Sequence, residues 1–117
     1  MKTTSLLVTV LTAMLFTAHD VAAQNRVDAP MLLEQASHAQ MVEGDLDQAI
    51  SLYTQVAMSA TASRNNVAQA LVALGDTYEL QGSPEAIPAY ERVVSEFADQ
   101  PESFLAANAK LTALSIS

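Results

Sequence analysis

The chain has 117 residues, half of them hydrophobic, no cysteine, and a formal charge of −8. That length holds one domain at most, and the missing thiols exclude disulfides, thiolate metal sites and cysteine chemistry. The acidity excludes the basic footprint that nucleic acid and anionic membranes require, and suits a basic protein partner or simple solubility instead.

Met1-Lys2 supplies a short positive start, Leu6 to Phe16 is apolar apart from Thr9 and Thr12, and Val21-Ala22-Ala23 precedes Gln24. This is the three-part layout of a secretory signal peptide, with cleavage after Ala23 and Ala18 as the alternative end. The run falls well short of the ~20 residues that span a bilayer, so no stable membrane anchor is expected after cleavage. No cysteine follows to carry a lipid. The expected location is the periplasm or the exterior. Removing residues 1–23 from the 117 leaves 94, with Arg26, Arg64, Arg92 and Lys110 as the only Lys or Arg residues. A domain that small without staples rests on helix packing alone.

Residues 24–29 read as a flexible segment, and 30–117 as an all-α domain without period-2 strand patterns. Pro30 suits a first helical turn, and helix 1 runs from about Pro30 to Val42, closed by Gly44. Asp45-Leu46-Asp47-Gln48 resembles a capping box. Behind it, Leu46, Ala49, Ile50, Tyr53, Val56 and Ala57 form one apolar face of helix 2. Helix 3 spans roughly Arg64 to Leu80, with Val67, Ala70, Leu71, Leu74 and Tyr78 on one side. Ser83-Pro84-Glu85 opens helix 4 with a hydroxyl cap, a proline and an acid. Its buried face is Ala86, Ile87, Tyr90, Val93, Val94 and Phe97. Pro101-Glu102 starts helix 5, which carries Phe104, Ala107, Leu111 and Leu114. The short connections predict antiparallel neighbours.

The chain also repeats itself. Gly44 to Val56 and Gly82 to Val93 share a glycine turn, a capped start, Ala-Ile, and a tyrosine three residues after the isoleucine. The second copy is one residue shorter between Gly and Ala. Leu71-Val72-Ala73-Leu74-Gly75 is echoed by Leu111-Thr112-Ala113-Leu114-Ser115, and weakly by Leu33-Glu34-Gln35-Ala36-Ser37. The period lies near the ~34 residues of helix-turn-helix repeats. The pattern predicts two helix pairs and a final helix.

In these residues the chain resembles the tetratricopeptide repeat family. Leu74-Gly75, Tyr78, Gly82, Ala86 and Tyr90 fall where that family places its Leu-Gly, tyrosine, turn glycine, alanine and aromatic residue. Ala36-Ser37, Gly44, Ala49 and Tyr53 match in the first copy, where Gln40 stands in the aromatic slot and Thr61 and Ala98 replace the closing prolines. Tyr90 to Gln100 is also similar to periplasmic members such as the Tol–Pal coordinator and outer-membrane assembly lipoproteins. Small residues at Ser37, Ala49, Gly75 and Ala86 would let helices approach closely. Gly75 inside a helix costs about 1 kcal/mol relative to alanine, which close packing would justify.

No constellation for catalysis stands out. His38, the one histidine after the signal peptide, has Glu34 at i−4 and no further partner. Asp45 and Asp47 do not continue as a calcium loop and suit a helix start. Asp76 and Glu79 read as groove wall, and neither cofactor nor metal is expected. The resemblance implies a concave groove formed by the first helix of each pair. Its lining would be Glu34, His38 and Met41 from one repeat and Gln69, Val72, Asp76 and Glu79 from the next, with Asn65 and Asn66 near the rim. The expected function is binding of a protein or basic peptide. The alternative is a self-associating subunit using Leu111 and Leu114, or the N-terminal part of a larger envelope protein.

Overall fold

The computed structural model describes residues 27–116, so the signal-peptide reading and its cleavage site lie outside the described residues. The described residues form five helices and no strand: α1 (Ala29–His38), α2 (Leu46–Ala57), α3 (Arg64–Leu80), α4 (Ala86–Glu96) and α5 (Pro101–Ile116). Every consecutive pair packs together, and α1 also touches α3 while α3 touches α5. That pattern is an all-α stack of antiparallel helix pairs, in which α1, α3 and α5 form one layer. Side-chain bonds recur across it at separations of 34 or 35 residues, as Asp47–Gln81, Ala57–Arg92, Arg64–Asp99 and Asn65–Gln100. This stacking separation is close to, and slightly shorter than, the 37 residues from Ala49 to Ala86 in the sequence repeat.

Side-chain caps fix three of the helix starts, whereas α4 begins at Ala86, after the expected Ser83-Pro84-Glu85 opening, with Glu85 at its N-cap and no side-chain cap bond. The carboxylates of Asp28 and Asp45 accept from the backbone N–H groups of Met31 (3.2 Å) and Gln48 (3.1 Å), and the Ser63 hydroxyl accepts from Asn66 (3.1 Å). Each bond satisfies a donor that the first helical turn leaves free. Ala29 is already helical and buried, so helix α1 begins one residue before the expected Pro30, with Asp28 as its cap.

Helix 1 differs in its last turn. After His38 the backbone widens into a π turn over Ala39–Glu43, and the N–H groups of Gly44 and Asp45 both return to the Ala39 carbonyl. Gly44 and Gly82 end their helices with φ of +66° and +67°, the left-handed conformation that glycine adopts without steric cost.

The core follows the expected faces with additions. Ala49, Tyr53, Val56, Ala57, Val67, Ala70, Leu71, Leu74, Ala86, Tyr90, Val93, Phe97 and Ala107 are buried. Leu52, Ala68, Thr77 and Ala89 join them, whereas Ile87 is turned outward. Thr77 is accommodated because its hydroxyl donates to the Ala73 carbonyl at 2.7 Å. Gly75 has the close neighbour that its composition implied. A Cβ there would lie 2.5–2.8 Å from the Tyr90 ring, which no real side chain tolerates.

Candidate functional site

The inner layer brings α3 and α5 side by side, and a shallow recess of about 220 Å³ opens between them. Gln69, Val72, Ala73 and Asp76 line it from α3, and Glu102, Ser103 and Ala106 from α5. The helical spacing of Gln69, Val72 and Asp76 points all three along one face. An amide ladder forms the rim: Gln69 donates to Asn65 at 2.7 Å, and Asn65 donates to Gln100 at 3.3 Å.

Below the recess, Asp76 and Glu79 hold a four-residue polar network. The Tyr90 hydroxyl lies 2.5 Å from Asp76 Oδ1 and 2.7 Å from Glu79 Oε2. Lys110 Nζ of α5 lies 3.1 Å from Glu79 and 3.6 Å from Asp76. The tyrosine hydroxyl and the ammonium hold Glu79 below its usual range, and the bond to Glu79 raises Lys110. Tyr90 is pushed above its ordinary value, first by burial and then by the two carboxylates. The network ties α3, α4 and α5 into one unit.

The expected groove residues do not share one lining. Gln69, Val72, Asp76 and the Asn65 rim belong to the α3–α5 recess, while Glu79 belongs to the network beneath it. Glu34 and His38 line a separate recess of about 510 Å³ between α1 and α2, with Met31, Gln35, Glu43, Gln48 and Leu52. Met41 stands on the π turn, 76% exposed, where its sulfur accepts from the Ser37 hydroxyl at 3.7 Å. His38 acquires a partner that straight helical spacing hides. The π turn brings Glu43, five residues on, to 3.2 Å from His38 Nδ1.

The two leucines of the expected self-association face turn inward. Leu111 and Leu114 are half-buried against the core, and Leu114 also lines a recess with Ile87 and the Gly82-Ser83-Pro84 turn. The large apolar side chains that α5 does expose are Leu105 at 66% and Ile116 at 82%.

Sequence reasoning missed Glu102, Ser103 and Ala106 in the recess. The sequence pattern presents their helix as a lone final one, although its Leu111-Thr112-Ala113-Leu114 echo of α3 fits the layer that α1, α3 and α5 share. It also missed how the cations are engaged. Arg64 pairs with Asp99 at 2.7 Å, donates to the Glu96 carbonyl at 2.6 Å and lies 4.6 Å from the Phe97 ring centroid. Arg92 pairs with Glu96 at 2.6 Å and reaches the Ala57 carbonyl at the end of α2 at 3.3 Å. With Lys110 in the network, every described Lys and Arg side chain is engaged by the protein's own acids.

Among the described residues, no group of three or more His, Cys, Asp or Glu is placed to hold a metal ion. No described helix is long and apolar enough to cross a membrane. No family model, curated protein or solved structure matches this chain.

Proposed function

We propose that this chain is an exported binding module of the tetratricopeptide repeat type, which holds a basic peptide or protein segment and acts by binding rather than catalysis. One observation carries the reading. The α3–α5 recess carries the acids Asp76 and Glu102 and the amide Gln69 beside the apolar Val72, Ala73 and Ala106, in a molecule whose described Lys and Arg groups are already engaged internally. The acids left over, among them Glu34, Glu102 and Asp45, face solvent. A cationic partner therefore meets a net negative surface on which the described bases are already paired with acids. Amides at Asn65 and Gln69 are suited to the backbone of an extended segment, since each carries both donors and an acceptor.

Asp76 and Glu79 are poor probes of this idea, because both hold Tyr90 and their replacement would disturb the fold. The better variant is Gln69→Lys combined with Glu102→Lys, which reverses the recess while leaving the network intact. Calorimetric titration with extended Lys/Arg-containing peptides, and with Glu-containing counterparts, should give binding only for the basic set. The double variant should weaken that binding at least about tenfold, since each introduced like charge costs on the order of 1 kcal/mol. Equal affinity for wild type and variant, with both folded by circular dichroism, would remove the recess from the binding site.

A further inference from the structure

We infer that the outward face of α5 is a contact surface for a second copy of this chain, formed by antiparallel pairing of the two α5 helices. Leu105, Ala109, Thr112 and Ile116 are all exposed and lie on the side opposite the buried Ser103 and Ala107. They follow one another at spacings of four, three and four residues, which keeps them in a single stripe at 3.6 residues per turn. Thr112 donates its hydroxyl to the Asn108 carbonyl at 2.9 Å, so it brings a satisfied hydroxyl and a free methyl group to that stripe.

Two properties select a second copy as the occupant. First, the stripe is a palindrome. Its spacing is the same in either direction, and its sizes run large, small, small, large. Turning one α5 end for end sets Leu105 against Ile116 of the other copy and Ala109 against its Thr112. That self-matching is what a two-fold contact requires, and the small waist lets two helices approach to the ~8 Å end of the packing range. Second, the charge pattern fits. Self-association of a chain with a net charge of −8 is opposed by repulsion unless the contact avoids carboxylates. From Ser103 to Ile116 α5 has none, and its one charged residue, Lys110, is turned inward to Glu79 and Asp76. Contact through this helix thus keeps the acid-rich surfaces of the two copies away from its centre.

A single helix pair buries less than the ~1,200 Å² of stable interfaces, so the dimer is expected to be weak, with a Kd on the order of 100 µM. The test uses the full chain, purified after export. Sedimentation equilibrium up to about 1 mM should reveal a monomer–dimer equilibrium at that level. Leu105→Glu, which places two carboxylates in the contact, should abolish it without changing the helical content. Because the chain has no cysteine, single introduced thiols report the register. A mixture of Ala109→Cys with Thr112→Cys should form the mixed disulfide faster than either variant alone, and Ser95→Cys on α4 should not crosslink. A monomer at every concentration overturns the proposal, as does a dimer unaffected by Leu105→Glu. Equal crosslinking of all thiol variants does the same. A chain that stays monomeric but loses binding of the basic peptides on Leu105→Glu assigns the stripe to the peptide partner instead.

Discussion

Gly75 and Tyr90 are one device in two residues. The absent Cβ makes room for a ring that is fully buried, and the ring cannot retreat because its hydroxyl is fixed by Asp76 and Glu79. Two opposing effects decide what Gly75→Ala does. Helix propensity favours alanine by about 1 kcal/mol, while overpacking a filled site costs ~1–3 kcal/mol. With 2.5 Å to the nearest ring carbon, packing should win, for a net loss of about 1–2 kcal/mol in urea unfolding. In a Tyr90→Leu background the same change should become neutral or stabilising, and strict additivity in that cycle would show that the ring is not the obstacle.

The network also sets a pH dependence. Glu79 lies below its usual range, so its contribution is present above the ordinary carboxylate range and is lost as pH falls through the lowered value. Lys110 and Tyr90 lie above theirs, so their contributions hold below about pH 10 and fade as pH rises through the raised values. Stability should therefore be flat between these limits and fall on both sides. Tyr90→Phe keeps the ring against Gly75 and should cost about 1 kcal/mol, less than a fully buried charged bond because water reaches the carboxylates. It should also soften the acid-side loss. An unaltered acid limb would assign that loss to other acids, such as Asp99, which Arg64 holds well below its usual range.

At the scale of elements, the two inner-to-outer turns solve one problem with different residue counts. Between Gly44 and Ala49 the chain has Asp45 to Gln48, whereas between Gly82 and Ala86 it has only Ser83 to Glu85. The shorter turn is a tight one: Ala86 and Ile87 bond three residues back, to the carbonyls of Ser83 and Pro84. A 3₁₀ rise of ~2.0 Å over three residues matches an α rise of ~1.5 Å over four, roughly 6 Å in each case. The second repeat therefore keeps its register with one residue fewer. The glycine before each turn faces open space, so Gly82→Ala should lose about 1 kcal/mol from its left-handed backbone alone. Gly82→Asn should lose less. A larger loss for asparagine than for alanine would place the cost in side-chain contacts rather than in φ.

For the molecule as a whole, export and stacking are separate questions. Intact mass of the secreted protein should begin at Gln24, and retention of residues 1–23 would overturn the signal-peptide reading. Within the stack, α5 contributes on three sides. It buries Ala107 and half-buries Leu111 and Leu114, supplies Glu102 to the recess, and sends Lys110 to the network.

Most of the helices and their faces are written in the local pattern of the chain. Apolar spacing, caps and turn glycines are local signals, and they located α3 from Arg64 to Leu80 at both ends. They also identified Gly75 as a close-packing residue, because a helical glycine has few other justifications. Which residues of the α1–α3–α5 layer meet depends on packing between helices. The π turn that joins His38 to Glu43 has no counterpart in the regular helical spacing of these residues. Asp76 and Glu79 read as free acids along the helix, yet Tyr90 and Lys110 arrive from two later elements and occupy them. Likewise, helical spacing fixed that Leu111 and Leu114 share a face with Ala107, while the docking of α5 on α3 and α4 decided that this face turns inward. Periodicity states what is alike along a helix, and only packing states which side a neighbour covers.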